Sequence, residues 1–159
     1  MSVHAVCYNH HMKRPLPPTV ILGADHAGFM LKESLIPWLV EQGAVIEDAT
    51  PTSHEHDDYP PVAKEVAQRV TKHPGSFGVL LCGTGVGMCI GANRIHGVRA
   101  VLAMSKRIAI IAREHNHANI LCLGGRTMTS SEAIGILDAF LNAREDKSGR
   151  HLRRVRELS

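Results

Sequence analysis

The sequence predicts a doubly wound three-layer α/β/α domain, Rossmann-like or flavodoxin-like, with a five-stranded parallel sheet and an added C-terminal helix. Three observations carry this reading. Five short apolar runs recur along the chain, each separated from the next by a stretch of helical period. The runs are apolar throughout rather than alternating, as strands covered on both faces are. Strands joined by helices pair in parallel through right-handed crossovers. A length of 159 residues fits one such domain, and 44% hydrophobic with 21% charged residues is an ordinary globular composition.

The elements follow in order. Residues 1–18 read as an irregular N-terminal extension, since Pro15, Pro17 and Pro18 oppose a helix, and the domain proper spans 19–159. Thr19–Gly23 (TVILG) suits a buried strand. Residues 28–42 place Phe29, Leu31, Leu35, Trp38 and Leu39 near helical spacing, with Pro37 predicting a kink and Gly43 a stop. Ala44–Glu47 is a second strand, and a polar loop from Thr50 to Tyr59 follows. Pro60–Lys72 returns to helical period through Val62, Val66 and Val70. Phe77–Cys82 (FGVLLC) is the third strand, leading through a glycine loop into a short helix ending at Asn93. Val98–Ala103 is the fourth strand, Ser105 caps a helix to about His115, and Asn119–Leu123 is the fifth strand. Thr129 or Ser130 caps a helix ending near Asn142, with Glu132 in its first turn, and Arg150–Leu158 forms the last helix.

Composition narrows the function. No apolar run approaches the ~18 residues of a membrane span, and the N-terminus lacks the apolar stretch of a signal peptide. Cys7, Cys82, Cys89 and Cys122 form no CxxC, so a reduced, cytoplasmic protein is expected. The net charge of +3 is unevenly placed. Residues 1–143 hold 12 basic and 12 acidic side chains, whereas residues 144–159 hold six basic against three acidic, so the whole excess lies in the tail. That tail reads either as a solvated helix end or as an anion site. With aromatics at 4% and no charge elsewhere, nucleic-acid binding is disfavoured.

Ligands of open α/β sheets collect beyond the carboxyl ends of strands, where strand order reverses. A flavodoxin-like order puts that reversal between the first and third strands. Gly23-Ala24-Asp25-His26-Ala27-Gly28 and Cys82-Gly83-Thr84-Gly85-Val86-Gly87 would then face one crevice. The glycine loop is neither GxGxxG nor a P-loop, and the fourth strand ends in Ala103-Met104 without the acid that would hold a ribose. Glycines at three alternate positions instead let backbone N–H groups converge on a small anion, a phosphate or an enediolate oxygen. A cysteine ending a buried strand is by default a small core residue. Facing a helix N-terminus, Cys82 would gain thiolate character. Cys89 and Cys122 read as structural. His54 and His56 near Asp57 and Asp58 read as solvated loop residues rather than metal ligands, and His115 either as a charge at a helix end or as a proton carrier.

With these residues in hand, the chain resembles the ribose-5-phosphate isomerase B family, which also holds galactose-6-phosphate and allose-6-phosphate isomerases. Six motifs carry the resemblance in colinear order over residues 19–156: the Gly23–Gly28 segment, Asp58-Tyr59-Pro60, the Cys82–Gly87 segment, Gly91-Ala92-Asn93-Arg94, His115-Asn116 and Gly149-Arg150-His151. The resemblance implies interconversion of ribose 5-phosphate and ribulose 5-phosphate through a cis-enediolate, with no metal or other cofactor. Cys82 matches the base, and the backbone from Gly83 through Gly85 and Val86 to Gly87 matches the oxyanion site. Thr84 and His115 match the pair that opens the sugar ring; Asp25, His26, Tyr59 and Asn116 match substrate contacts. Arg150 and Arg154, four residues apart and so on one helical face, match a phosphate clamp, with Arg126 a further candidate. Homodimers or homotetramers with sites shared between subunits are implied too. Some members replace the cysteine by a glutamate six residues further on; that position is Met88 here, which favours the cysteine route. The alternatives are the same chemistry on a six-carbon sugar phosphate, or a phosphosugar-binding module without catalysis.

Overall fold

A computed structural model describes residues 18–54 and 58–158; the N-terminal extension up to Pro17, and His56 and Asp57 of the polar loop, lie outside the described residues. Five strands and six helices alternate: β1 (Thr19–Ala24), α1 (Phe29–Glu41), β2 (Val45–Asp48), α2 (Tyr59–Lys72), β3 (Phe77–Cys82), α3 (Val86–Ala92), β4 (Ala100–Leu102), α4 (Lys106–Asn116), β5 (Ile120–Gly124), α5 (Ser130–Asn142) and α6 (Gly149–Glu157). All pairings are parallel, in the order β2-β1-β3-β5-β4. The flavodoxin-like order expected from sequence holds over β2-β1-β3, and the reversal lies between β1 and β3. The last two strands are exchanged: β5 pairs with β3, which brings the loop after β5 beside Cys82.

Strand alternation divides the interior in two. Val20, Leu22, Val79, Leu81, Leu121 and Leu123 face α1, α4 and α5. Ile21, Leu80, Cys82, Ile120 and Cys122 face α2 and α3. Side chains leave successive strand residues on opposite faces, so a continuous apolar run fills both layers at once. The last helix, α6, packs on α4.

Local chemistry sets the element ends. Ser105 accepts from the Ile108 N–H, and Thr129 and Glu132 close a reciprocal capping box, as their positions predicted. Tyr59 opens α2 rather than closing the preceding loop, because Asp58 Oδ1 accepts its N–H at 2.9 Å. β2 starts one residue late because the Ala44 N–H bonds back to the Leu39 carbonyl. β4 is shorter than its apolar run: the Val98 N–H closes a turn on Ile95, and the Asn119 side chain takes the Arg99 N–H. Pro37 is accommodated within α1, on its exposed side.

Candidate active site

Three loops meet at the carboxyl ends of β1, β3 and β5. In the first, Asp25 is buried and its Oδ1 accepts from the N–H groups of Ala27 at 2.9 Å and Gly28 at 3.0 Å. Its own N–H donates to the Leu81 carbonyl, so the loop is tied to β3. Gly28 must be glycine: a Cβ there would lie 2.4 Å from the Leu81 carbonyl. The β5 loop closes the other side, the Gly125 N–H donating to the Cys82 carbonyl at 2.8 Å and the Arg126 N–H to that of Gly83 at 2.9 Å.

The middle loop carries the thiol. Cys82 is 5% exposed and ends β3, and its Sγ accepts the Gly85 N–H at 3.1 Å. Gly85 takes a φ of 79°, a left-handed conformation that favours glycine, and a side chain there would strike Leu102 at 2.6 Å. Thr84 is exposed, with its Oγ1 accepting from Val86 N–H at 3.4 Å. The Tyr59 ring lies against Gly87, and the Arg126 guanidinium lies beside Gly83. His26 is exposed next to Asp25. The structure therefore brings together Asp25, His26, Tyr59, the Cys82–Gly87 segment and Arg126.

It does not bring the rest to them. β4 ends level with the top of the sheet, so α4 runs back down and delivers His115 and Asn116 to the opposite edge, where β5 begins. The register sets Gly78 against Ile120 at that lower edge and Cys82 against Gly124 at the upper one. Four strand steps of ~3.3 Å separate these levels by about 13 Å. α6 shares the lower edge: the His115 and His151 rings stack at 4.1 Å with an interplanar angle of 14°. The Asp146 N–H donates to the Glu114 carbonyl, and the Asp146 carbonyl meets His117 Nε2 at 2.8 Å. Desolvation first, then the charges of His115 and Arg150, hold His151 below the usual imidazole range. Hydrogen bonds from the Ser148 hydroxyl and N–H hold Asp146 below the usual carboxylate range. Arg150 and Arg154 are exposed on the same helix. One chain thus carries two groups of candidate residues, a thiol and glycine loop above and a stacked imidazole pair below.

A cavity of about 420 Å³ between Thr71, Phe77, His96, Arg99 and Arg113 holds none of the candidate residues. Among the described residues no three His, Cys, Asp or Glu side chains group as a metal site, and no helix is long and apolar enough to cross a membrane.

Two contributors escaped the sequence reading. His151 stacks on His115, and its adjacency to Arg150 was the available signal. Lys32 is fully buried, with Nζ donating to Asp48 Oδ2 at 2.5 Å and the Thr50 carbonyl at 2.6 Å, over the Phe29 ring. Thr50 Oγ1 in turn accepts the Ala24 N–H, so this cation braces the strand end that presents Asp25. A lysine three and seven residues before Leu35 and Leu39, on the apolar face of α1, was the sign. Lys32→Met should cost about 3 kcal/mol in urea unfolding, the low end for breaking a buried pair because Asp48 keeps some contact with water. A loss below about 1 kcal/mol would reduce the pair to the worth of a surface ion pair.

Comparison with known proteins agrees with the fold. Residues 20–158 match the family described as Ribose/Galactose Isomerase. Ribose-5-phosphate isomerase B of Mycobacterium tuberculosis is 42% identical over 137 residues, covering 86% of this chain and 85% of that one. The Escherichia coli protein of the same name is 39% identical over 140 residues, covering 88% and 93%. Among solved structures, ribose 5-phosphate isomerase B from Thermotoga maritima superposes with a TM-score of 0.84 at 44% identity, over 89% of this chain and 97% of that one. The Mycoplasma genitalium enzyme with bound ribulose-5-phosphate gives 0.85 at 39% identity, over 90% and 95%.

Proposed function

The chain belongs to the ribose/galactose isomerase family, and from that premise we propose how its residues interconvert ribose 5-phosphate and ribulose 5-phosphate. The carrying observation is the Cys82 sulfur at the switch point of the sheet, accepting the Gly85 N–H at 3.1 Å. Cys82 takes the proton from C2 of the open-chain aldose and returns it to C1. The charge that develops on the neighbouring oxygen meets backbone N–H groups of the Gly83–Gly87 loop, preorganised by the interlocked turns; one such donor is worth ~10²–10³ in rate. Tyr59 against Gly87 walls the pocket, and Asp25 and His26 contact the sugar hydroxyls.

Ring opening needs a proton carrier, and His115 with Thr84 supplies it. Because His115 and Asn116 sit at the far edge of their own chain, the complete site belongs to a homodimer in which one copy's lower edge meets the other's upper edge. Apolar side chains at that upper edge support this. Val86 and Ile90 on α3 and Met104 and Ile108 around the start of α4 are 47%, 57%, 55% and 44% exposed, beside the edge strand β4. Isologous pairing of two copies forms two such sites. Arg150 and Arg154 then grip the substrate phosphate.

Steady-state kinetics on ribose 5-phosphate, galactose 6-phosphate and allose 6-phosphate test the substrate; kcat/KM should be highest for the pentose, and a higher value for either hexose would overturn that assignment. For the clamp, Arg154→Ala should raise KM by about 10- to 100-fold, the worth of a charge-assisted hydrogen bond, with a smaller change in kcat. An unaltered KM would move the phosphate to other cations.

A further inference from the structure

A histidine closes α4 where glycine is the usual residue. His117 follows Asn116 at the C-terminal cap with φ 51° and ψ 39°, and among the described residues it is the one non-glycine at positive φ. Helices commonly end on such a left-handed residue, and glycine fills it because a Cβ is disfavoured there. The cap itself asks nothing of the side chain. The His117 N–H donates to the Arg113 carbonyl at 3.2 Å and the Ala118 N–H to that of Ala112 at 2.9 Å, bonds that glycine would form equally well. Yet the residue is only 6% exposed, and its Nε2 donates to the Asp146 carbonyl at 2.8 Å. A carbonyl only accepts, so Nε2 carries the proton. The ring serves the chain beyond it rather than the helix it ends.

That chain is the segment leading into α6. Arg113 Nη1 donates to Glu145 Oε1 at 3.0 Å, and the Asp146 N–H donates to the Glu114 carbonyl at 2.9 Å. Asp146 is thus held through its N–H by the end of α4 and through its carbonyl by His117. Bonds on both sides of one Cα fix its two backbone dihedrals, and with them the direction in which the chain departs for α6. His117 is itself anchored, its carbonyl accepting from Arg99 Nε at 3.0 Å.

We propose that His117 is a positioning residue, latching α6 to the end of α4 and so setting Arg150 and Arg154 relative to His115. This rests on the phosphate clamp proposed for those arginines. Arg150 lies four residues beyond Asp146 and Arg154 eight, so a swing at Asp146 moves both. A clamp correctly placed for only about a tenth to a third of the time weakens apparent affinity by about 3- to 10-fold. Saturating substrate selects the placed form, so kcat changes little.

The test uses the full-length protein carrying His117→Gly or His117→Asn. Both residues tolerate left-handed backbone, and neither has an atom where Nε2 stands. Each should raise KM for ribose 5-phosphate about 3- to 10-fold and leave kcat within about twofold. Amide hydrogen exchange, read by mass spectrometry, should quicken about 10-fold in peptides of α6 and stay as in wild type in β3 and β5. In an Arg150→Ala, Arg154→Ala background, His117→Gly should change KM by less than about twofold, because its route runs through the missing arginines. Wild-type exchange of α6 in His117→Gly would overturn the latch, whatever happens to KM. A raised KM in His117→Gly beside a wild-type KM in His117→Asn would trace the effect to glycine's backbone freedom and overturn the role of the imidazole. Full multiplication of the two effects in the triple variant would overturn the route through the arginines. Should the arginine variant itself keep a wild-type KM, the clamp is the reading that fails, and faster exchange of α6 in His117→Gly still supports the latch.

Discussion

Cys82→Ala should lower kcat for ribose 5-phosphate by about 10²–10⁴-fold, the contribution of a positioned general base, while ribulose 5-phosphate still binds. The expectation is large because the proposed mechanism moves the proton between C2 and C1 on this sulfur. Met88, the alternative position for a base, is buried and carries no titratable group. Binding should persist because the substitution removes one sulfur and leaves the backbone donors, Arg126 and the tail arginines untouched. The packing cost is modest, since a Cys-to-Ala change at a 5% exposed strand end removes a single heavy atom. Calorimetric titration with the ketose phosphate, run beside a continuous isomerase assay, separates the two effects. Turnover equal to wild type would remove Cys82 from the chemistry; loss of binding together with turnover would make it a structural residue.

Mixing two inactive variants should restore activity. Cys82→Ala lacks the base in every site and His115→Ala lacks the ring-opening histidine in every site, so each alone is nearly dead. If each site takes its thiol from one copy and its imidazole from the other, a mixed dimer contains one doubly damaged site and one intact site. Random reassortment of equal amounts makes about half the dimers mixed, and about a quarter of wild-type activity returns. The structure makes this outcome a strong one, because about 13 Å of strand separates the two levels within a chain. Mixtures no more active than their components, after reassortment has been verified by native mass spectrometry, would require both residues to serve one site in a single chain.

The same separation shows which parts of the site were legible in the sequence. The Gly23–Gly28 and Cys82–Gly87 segments stood out because strand ends and glycine loops are local patterns, and a parallel sheet sends both to one edge. Arg126 was legible only as a candidate: its place beside Gly83 depends on β5 pairing with β3, and an order with β4 between them would have carried it one strand further away. The stacking of His115 on His151 depends on α6 folding back on α4, a packing event with no periodic signal. Lys32 was marked only by its place on the apolar face of α1; its partners exist because the turn at Asp48 and Thr50 closes over it. Cys89 and Cys122 are 33 residues apart and read as packing residues; they share one buried cluster because α3 lies over the β4–β5 pair.

By itself, then, the amino-acid order determined the alternation of strands and helices, the caps at Ser105 and Thr129, the apolar strands and the chemistry-bearing loops. These depend on spacing, side-chain size and backbone freedom within a few residues. Tertiary structure alone decided the exchange of β4 and β5, the partners of the buried Lys32, and the parting of Cys82 from His115. Those follow from which surfaces pack together, and the hydrophobic effect that drives such packing has no direction along the chain.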